Sequence, residues 1–324
     1  MREWIIFWTL GVIWGSSFLL IKVGVEDLGP LPLVTIRLGL AALAMQVFLR
    51  LTGRHWPRQR TATIALIFIG VMNTAVPFTL ITWGEQDIDS GLATVLNATV
   101  PLFTLVIAHM ALADERITPQ KAAGLLVGFV GVALLASRDT ESSSPNTISG
   151  QLAVLGAALC YATSAVVIRR YLRQVDPFVI AGHSLAVGWV AITTVTLVVV
   201  HPFPSPADLG PDAVAAVITL ALLNTMVAYF LFYHLMDQWG ATRTTLVTYV
   251  MPPVGLTLGA VFLDEAVDWQ IVVGAALILG GIVTANLRAG LRSHSREQQP
   301  DSTLIESDMG APEPAPQAAS RCAD

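Results

Sequence analysis

Apolar residues in this chain come in long runs separated by short polar interruptions. The first run, MREWIIFWTLGVIWGSSFLLIK, is bracketed by Arg2 and Lys22. Further runs of about 20 residues, the length that a roughly 30 Å hydrocarbon core requires of a helix, lie near residues 31–50, 62–83, 91–112, 119–137, 149–168, 177–200, 212–236, 242–263 and 269–287. A cleaved signal peptide is the rival reading of the first run, but its apolar region would be shorter and would end in an AxA-like site, which is missing here. The pattern predicts an all-α membrane protein with ten transmembrane helices.

The polar positions inside these runs repeat. Asn73-Thr74 recurs as Asn224-Thr225, Val76 as Val227, Phe78 as Tyr229, Thr94 as Thr245 and Pro101 as Pro252. After a slip of one residue, Asp114-Glu115 recurs as Asp264-Glu265, Gly124 as Gly274 and Gly131 as Gly281. A period of this length is far beyond a stackable solenoid unit, so each copy is a multi-helix half. The halves are expected at residues 4–137 and 149–288, with a Ser/Pro-rich linker at 138–148 and a polar, Pro/Ala/Ser-rich tail at 289–324 that should be disordered and cytoplasmic.

Five spans per copy is an odd number, so successive copies must cross the membrane in opposite senses. Positive charge tests this, because Lys and Arg gather on the cytoplasmic side. With the N-terminus inside, the inner segments hold Arg2, Arg50, Arg54, Arg58, Arg60, Arg116, Lys121, Arg169, Arg170, Arg173, Arg243 and the arginines after the last span, whereas the outer segments keep only Lys22 and Arg138. Both termini are therefore expected in the cytoplasm, with the chain in the cell (inner) membrane. Tryptophans at the headgroup level support the placement: Trp56 and Trp239 fall at inner boundaries, Trp83 and Trp269 at outer ones.

Composition agrees and excludes other classes. Hydrophobic residues make up 54% and charged residues 13%, with a mean hydropathy of +0.66, outside the soluble globular range. The net charge of −5 arises mostly in the tail, where three arginines face six acids, and names no basic partner. Two cysteines make no disulfide framework, and no metal-ligand spacing occurs. No cofactor, metal or nucleic-acid partner is expected; the partners are the lipid bilayer and a small-molecule substrate.

The candidate chemistry is intramembrane. Thr94, Asn97, Pro101 and Thr104 share one helical face of the fourth span, and Thr245, Thr248, Pro252, Gly255 and Gly259 share one face of the ninth. Such stripes either let helices pack closely or line a cavity. Proline favours the second reading, since each stripe breaks its own backbone ladder, and freed carbonyls at membrane depth need protein or a water-filled cavity to satisfy them. Proline-interrupted spans at corresponding positions of two halves point to a transporter's central site. Asn73 and Asn224 must face the interior, toward solute or toward a neighbouring helix. Trp14, mid-span, either fills a gap or lines the cavity; Tyr229 and Tyr249 add hydroxyl-bearing aromatics, joined by Tyr161 and Tyr233. Arg37 is the charge well within a span, and either pairs with Glu85 as a structural ion pair or captures a substrate carboxylate. No carboxylate is expected to be buried in a span, so proton coupling is not expected. His109 with Asp114 spells the HxxxxD of some membrane acyltransferases, but it straddles a helix end and has Gly259 at the counterpart of the His, so catalysis is not expected. Gly124 and Gly128 in the fifth span and Gly274, Gly280 and Gly281 in the tenth suit packing helices or a homodimer through these peripheral helices.

These residues resemble the drug/metabolite transporter superfamily, in its EamA-domain branch, over about residues 5–288. The likeness rests on WGSSF from Trp14 to Phe18, IRLGLAAL around Arg37, PLF at Pro101 followed by ADERIT at Ala113 to Thr118, GATR at Gly240 and LDE at Leu263. It implies two inverted five-helix repeats, a central cavity from the first four helices of each, and peripheral fifth and tenth helices. Ala113 and Leu263 stand where the family run often has Gly. The function expected is a secondary transporter, an exporter of a small polar or zwitterionic metabolite such as an amino acid, working by alternating access. Drug efflux is the alternative, and a membrane-embedded enzyme is the alternative from another class.

Overall fold

The computed structural model of the chain describes residues 1–113, 115–137, 146–205 and 209–297, the side chains of 241–242 and 286–297 excepted. Among the described residues there is helix and loop but no strand. The first span is α1 (Arg2–Leu28) and the second α2 (Pro30–Leu51). Gly29 parts them at φ 70°, a left-handed conformation open to glycine, and Pro30 then starts the next helix where a missing N–H costs nothing.

The third span is broken: α3 (Arg60–Gly70), a π-helical turn (Val71–Ala75) and α4 (Val76–Gly84). So is the fourth, as α5 (Ser90–Asn97) and α6 (Val100–Ala111), and α7 (Pro119–Ala136) is the fifth. The second half repeats the plan with α8 (Ile148–Tyr171), α9 (Pro177–Val199), then α10 (Pro211–Ala221), a π-helical turn (Leu222–Val227) and α11 (Ala228–Trp239). Its fourth span comprises α12 (Ala241–Thr244), a 3-10 turn (Thr245–Tyr249) and α13 (Met251–Phe262), and α14 (Trp269–Glu297) closes the series. Taking the broken spans as units, nine described helices are long and apolar enough to cross a membrane, and α14 is apolar from Trp269 to Ala285. It continues to Glu297, past the boundary expected at Arg288.

Cross-links between loops fix the sense of each half. At one face Lys22 Nζ donates to the Glu85 carbonyl at 2.5 Å and the Ile88 carbonyl at 2.9 Å, and Thr147 N–H, entering the second half, donates to the Asp87 carbonyl at 3.1 Å. At the opposite face Arg54 meets Asp176 at 2.9 Å, Arg169 meets Glu115 at 2.6 Å, and Gln120 donates to the Thr284 carbonyl at 2.7 Å. The second half is thus traversed in the opposite sense to the first. The first face is called outer below and the second inner, after the charge count.

The core is Leu-, Ile- and Ala-rich and lies between the two halves, with Leu33, Leu38, Met45, Leu92 and Leu96 fully buried. Large apolar side chains on the far faces, such as Val130 and Val198, stay exposed, as lipid-facing positions require. The glycines of the peripheral helices are spent within the chain. A Cβ on Gly131 would stand 2.8 Å from the Gly274 carbonyl, and one on Gly124 would strike that of Gly281, so the α7 and α14 backbones pack directly on each other. A homodimer through these helices would use another face of them.

Candidate functional site

The two π-helical turns sit at the duplicated Asn-Thr pairs. A π turn inserts one residue, shifts the ladder and leaves a carbonyl to be satisfied, a feature frequent at functional sites. Threonine supplies the missing donor: Thr225 Oγ1 donates to the Leu220 carbonyl at 2.8 Å, and Thr74 Oγ1 donates to the Gly70 carbonyl. Apolar periodicity carries no sign of the extra residue; the sign was a polar pair at mid-span, twice.

The asparagines differ. Asn224 is 2% exposed, and its amide donates to α1, at the Ile13 carbonyl, at Ser16 Oγ (3.1 Å) or at Ser17 Oγ (3.0 Å). It therefore braces a neighbouring helix. Asn73 is half-buried and has no hydrogen-bond partner among the described residues. Trp14, beside the Asn224 brace, packs on Phe232 with ring centroids 5.2 Å apart, inside a small cluster with Leu10 and Val247.

Arg37 is brought to the second π turn. It is 6% exposed, donates through Nε to Thr225 Oγ1 at 3.2 Å and lies 4.3 Å from the centroid of the Phe78 ring, a cation–π contact. Tyr161 and Tyr229 are near enough to interact electrostatically with it, and Tyr229 stacks on Tyr233 at 5.9 Å. The terminal guanidinium nitrogens have no protein acceptor among the described residues, yet they are not among the atoms sealed from solvent. Phe78 and Tyr229, counterparts in the duplication, thus meet on one cation, and Phe78 was not foreseen in that role.

Arg37 and Glu85 form no ion pair, although they are close enough for their charges to interact. Glu85 is fully buried, and neither carboxylate oxygen has a hydrogen-bond partner among the described residues. The buried acid lies at the boundary and not within a span: the loop of residues 85–89 is held against α1 and the start of α8.

The two stripes meet at their outer ends. A Cβ on Gly255 would strike Thr94, and one on Gly91 would stand 2.9 Å from Leu256, so α5 lies directly on α13. The Glu265 carboxylate seals this contact, accepting from Ser90 N–H at 2.7 Å and Gly91 N–H at 2.9 Å at the positive end of α5. Thr94 is buried and donates to the Ser90 carbonyl at 2.8 Å, so it serves packing. Past the breaks the helices part, α6 lying against α8 and the 3-10 turn against α1. The breaks fall at the prolines: Pro101 opens α6 and the buried Pro252 opens α13. Asn97, half-buried at the first break, holds a sealed Oδ1 with no donor among the described residues. Thr248 donates to the Thr245 carbonyl at 2.8 Å, and Tyr249 packs partly buried against the main core. Asp114 of the HxxxxD pattern lies outside the described residues.

The comparisons agree with this architecture. The EamA-like transporter family is matched over residues 3–137 and 148–287, one match per half. An uncharacterized transporter YoaV of Bacillus subtilis (strain 168) is 26% identical, over 84% of this chain and 92% of its own length. A probable terminal-alkyne amino-acid exporter of Streptantibioticus cattleyicolor is 26% identical over 86% of this chain and 91% of its own length. The uncharacterized inner membrane transporter YedA of Escherichia coli (strain K12) is 29% identical over 85% and 86%. A solved crystal structure superposes with a TM-score of 0.61 at 20% identity, over 92% of this chain and 99% of that one, and shares the fold. With its two matched halves, broken paired spans and buried intramembrane cation, this chain belongs to the EamA-like transporter family of the drug/metabolite transporter superfamily: it is a multi-pass membrane transporter, not an enzyme.

Proposed function

We propose that the chain exports a small zwitterionic metabolite, such as an amino acid, across the cell membrane by alternating access, with both termini in the cytoplasm. The observation that carries this is Arg37, a buried cation at membrane depth whose terminal nitrogens have no protein acceptor among the described residues. An ionisable group in such a place is costly and marks a substrate path, and a planar guanidinium fits a carboxylate bidentately. Tyr161, Tyr229 and Tyr233 offer hydroxyls nearby for the rest of a small amphipathic solute. Closure on the outer side by Glu265 and the α5–α13 contact supports a state open toward the inner face, from which an exporter loads. A fixed positive charge at the site disfavours cationic drugs. One relative is named a probable terminal-alkyne amino-acid exporter, and amino acids carry the carboxylate that Arg37 suits.

The test is efflux from proteoliposomes loaded with amino acids or with the matching decarboxylated amines. The parent chain should move the amino acids selectively, and Arg37→Gln should lose about 10- to 150-fold of that selectivity, the worth of a hydrogen-bonded charge. Equal handling of acids and amines by the parent chain would overturn the reading.

A further inference from the structure

We propose that the carboxyl group of Glu85 is a proton-binding site whose state controls the outer closure of the transporter. Both of its oxygens are enclosed in protein without a donor among the described residues. The residue ends α4, where the helix's free carbonyls disfavour a negative charge. Lys22, a cation beside it, is engaged elsewhere, since its Nζ donates to the backbone carbonyls of Glu85 and Ile88 and not to the carboxylate. Glu265 faces it from the second half and opposes a second charge. Glu26 of α1 lines the same pocket, Asp87 and Asp89 lie in its own loop, and Arg37 stands deeper on α2.

Burial pushes the Glu85 carboxyl well above the usual carboxylate range; Lys22 and Arg37 pull it back in part, and Glu265 adds to the rise. An enclosed carboxyl without a donor favours its neutral form in the closed arrangement. A half-open pocket of about 190 Å³, lined by Lys22, Val25, Glu26, Glu85 and Gln86, brings water up to the residue. Deprotonation moves one proton from the carboxyl oxygen to that water and leaves an anion without donors in a dry setting, which favours hydration over closure. The loop that must move to admit water runs straight into Ser90 and Gly91, whose N–H groups hold Glu265. Protonation thus keeps the two halves clamped at the outer face, and loss of the proton releases them.

This inference rests on the reading of the chain as an alternating-access transporter, and its test uses no substrate. A chain with Cys160 and Cys322 changed to Ala carries Ser90→Cys, a near-isosteric thiol inside the closure. Purified in detergent, it is labelled with a maleimide across a pH series, with and without Glu85→Gln, and the ratio of the two rates cancels the thiol's own titration. The ratio should rise about tenfold per pH unit below the Glu85 midpoint, and an infrared band of a protonated carboxyl should titrate over the same range and be absent in Glu85→Gln. A flat ratio would overturn the coupling, and a band that survives Glu85→Gln would overturn the site. Gln mimics the neutral acid, so a Glu85→Gln chain that fails to fold at neutral pH would also count against it. An intact pH response in a chain that does not discriminate carboxylates would instead refute the substrate reading and leave this one standing.

Discussion

Two crossings in this molecule descend from one ancestral contact and have diverged. Aligning Pro30 with Pro177 and Leu38 with Leu185 places Ser184 opposite Arg37 and Gly188 opposite Ala41. In one crossing α2 passes the second π turn, where Arg37 donates to Thr225 and Ala41 is accommodated fully buried. In the other α9 passes the first π turn, where Thr74 Oγ1 faces the Ser184 carbonyl at 3.3 Å. There a Cβ on Gly188 would strike Thr74 and come within 2.6 Å of the Gly70 carbonyl. One crossing is closed backbone to backbone, and the other carries a guanidinium whose terminal nitrogens have no protein acceptor among the described residues. Duplication supplies a symmetric frame, and the site comes from breaking that symmetry. The aromatic pair diverges likewise: Trp14 packs on Phe232, whereas its counterpart Tyr161 stands near Arg37.

The largest effect should come from forcing the tight crossing open. Gly188→Ala puts a methyl group against backbone, which cannot swing aside as a long side chain would, and should cost about 1–3 kcal/mol or more by overpacking. Ala41→Gly at the loose crossing should cost under about 1 kcal/mol, the usual penalty of glycine in a helix. Thermal unfolding in detergent compares them, and a Gly188→Ala chain as stable as its parent would refute the tight contact.

The hydroxyls should rank next. Thr225→Val removes the acceptor of a buried guanidinium and should cost about 1–3 kcal/mol, whereas Thr74→Val loses a neutral hydroxyl's hydrogen bonds, worth about 0.5–1.5 kcal/mol. Equal losses in the same melts would mean that the charge adds nothing at the open crossing.

The smallest effect should be at two acids, Glu115 and Glu85, and it should depend on pH. Arg169 above all, then Lys121, holds the Glu115 carboxyl below its ordinary range against a partial desolvation. That stability is present above the unfolded value of about 4.3 and fades as pH falls through the lowered folded value. Glu115→Gln should flatten the acid limb of the stability curve by no more than about 1 kcal/mol, since the pairs are partly solvated. Glu85 has the opposite sign: its raised folded value favours folding at low pH, and stability fades as pH rises above the ordinary glutamate range toward that value. Glu85→Gln should therefore flatten the curve above the ordinary glutamate range, and a change confined to pH below that range would show that Glu85 is ionised.

By itself the sequence determined the class and the plan. Run lengths of about 20 apolar residues admit only membrane-spanning helices, the recurrence of Asn73-Thr74 as Asn224-Thr225 marks a duplication, and an odd count of spans with one-sided arginines imposes inversion. Pro101 and Pro252 named the breaks, because proline removes a ladder hydrogen bond wherever it falls. Tertiary structure alone decided what faces what. That Asn224 braces α1, that Arg37 bonds Thr225 and not Glu85, and that Glu85 folds inward while Glu265 clamps α5 all depend on distances between residues far apart in the chain. Polar residues on a transmembrane helix satisfy the same rule whether they meet a solute, a neighbouring helix or a freed carbonyl, so the local pattern is the same in each case and only packing tells them apart.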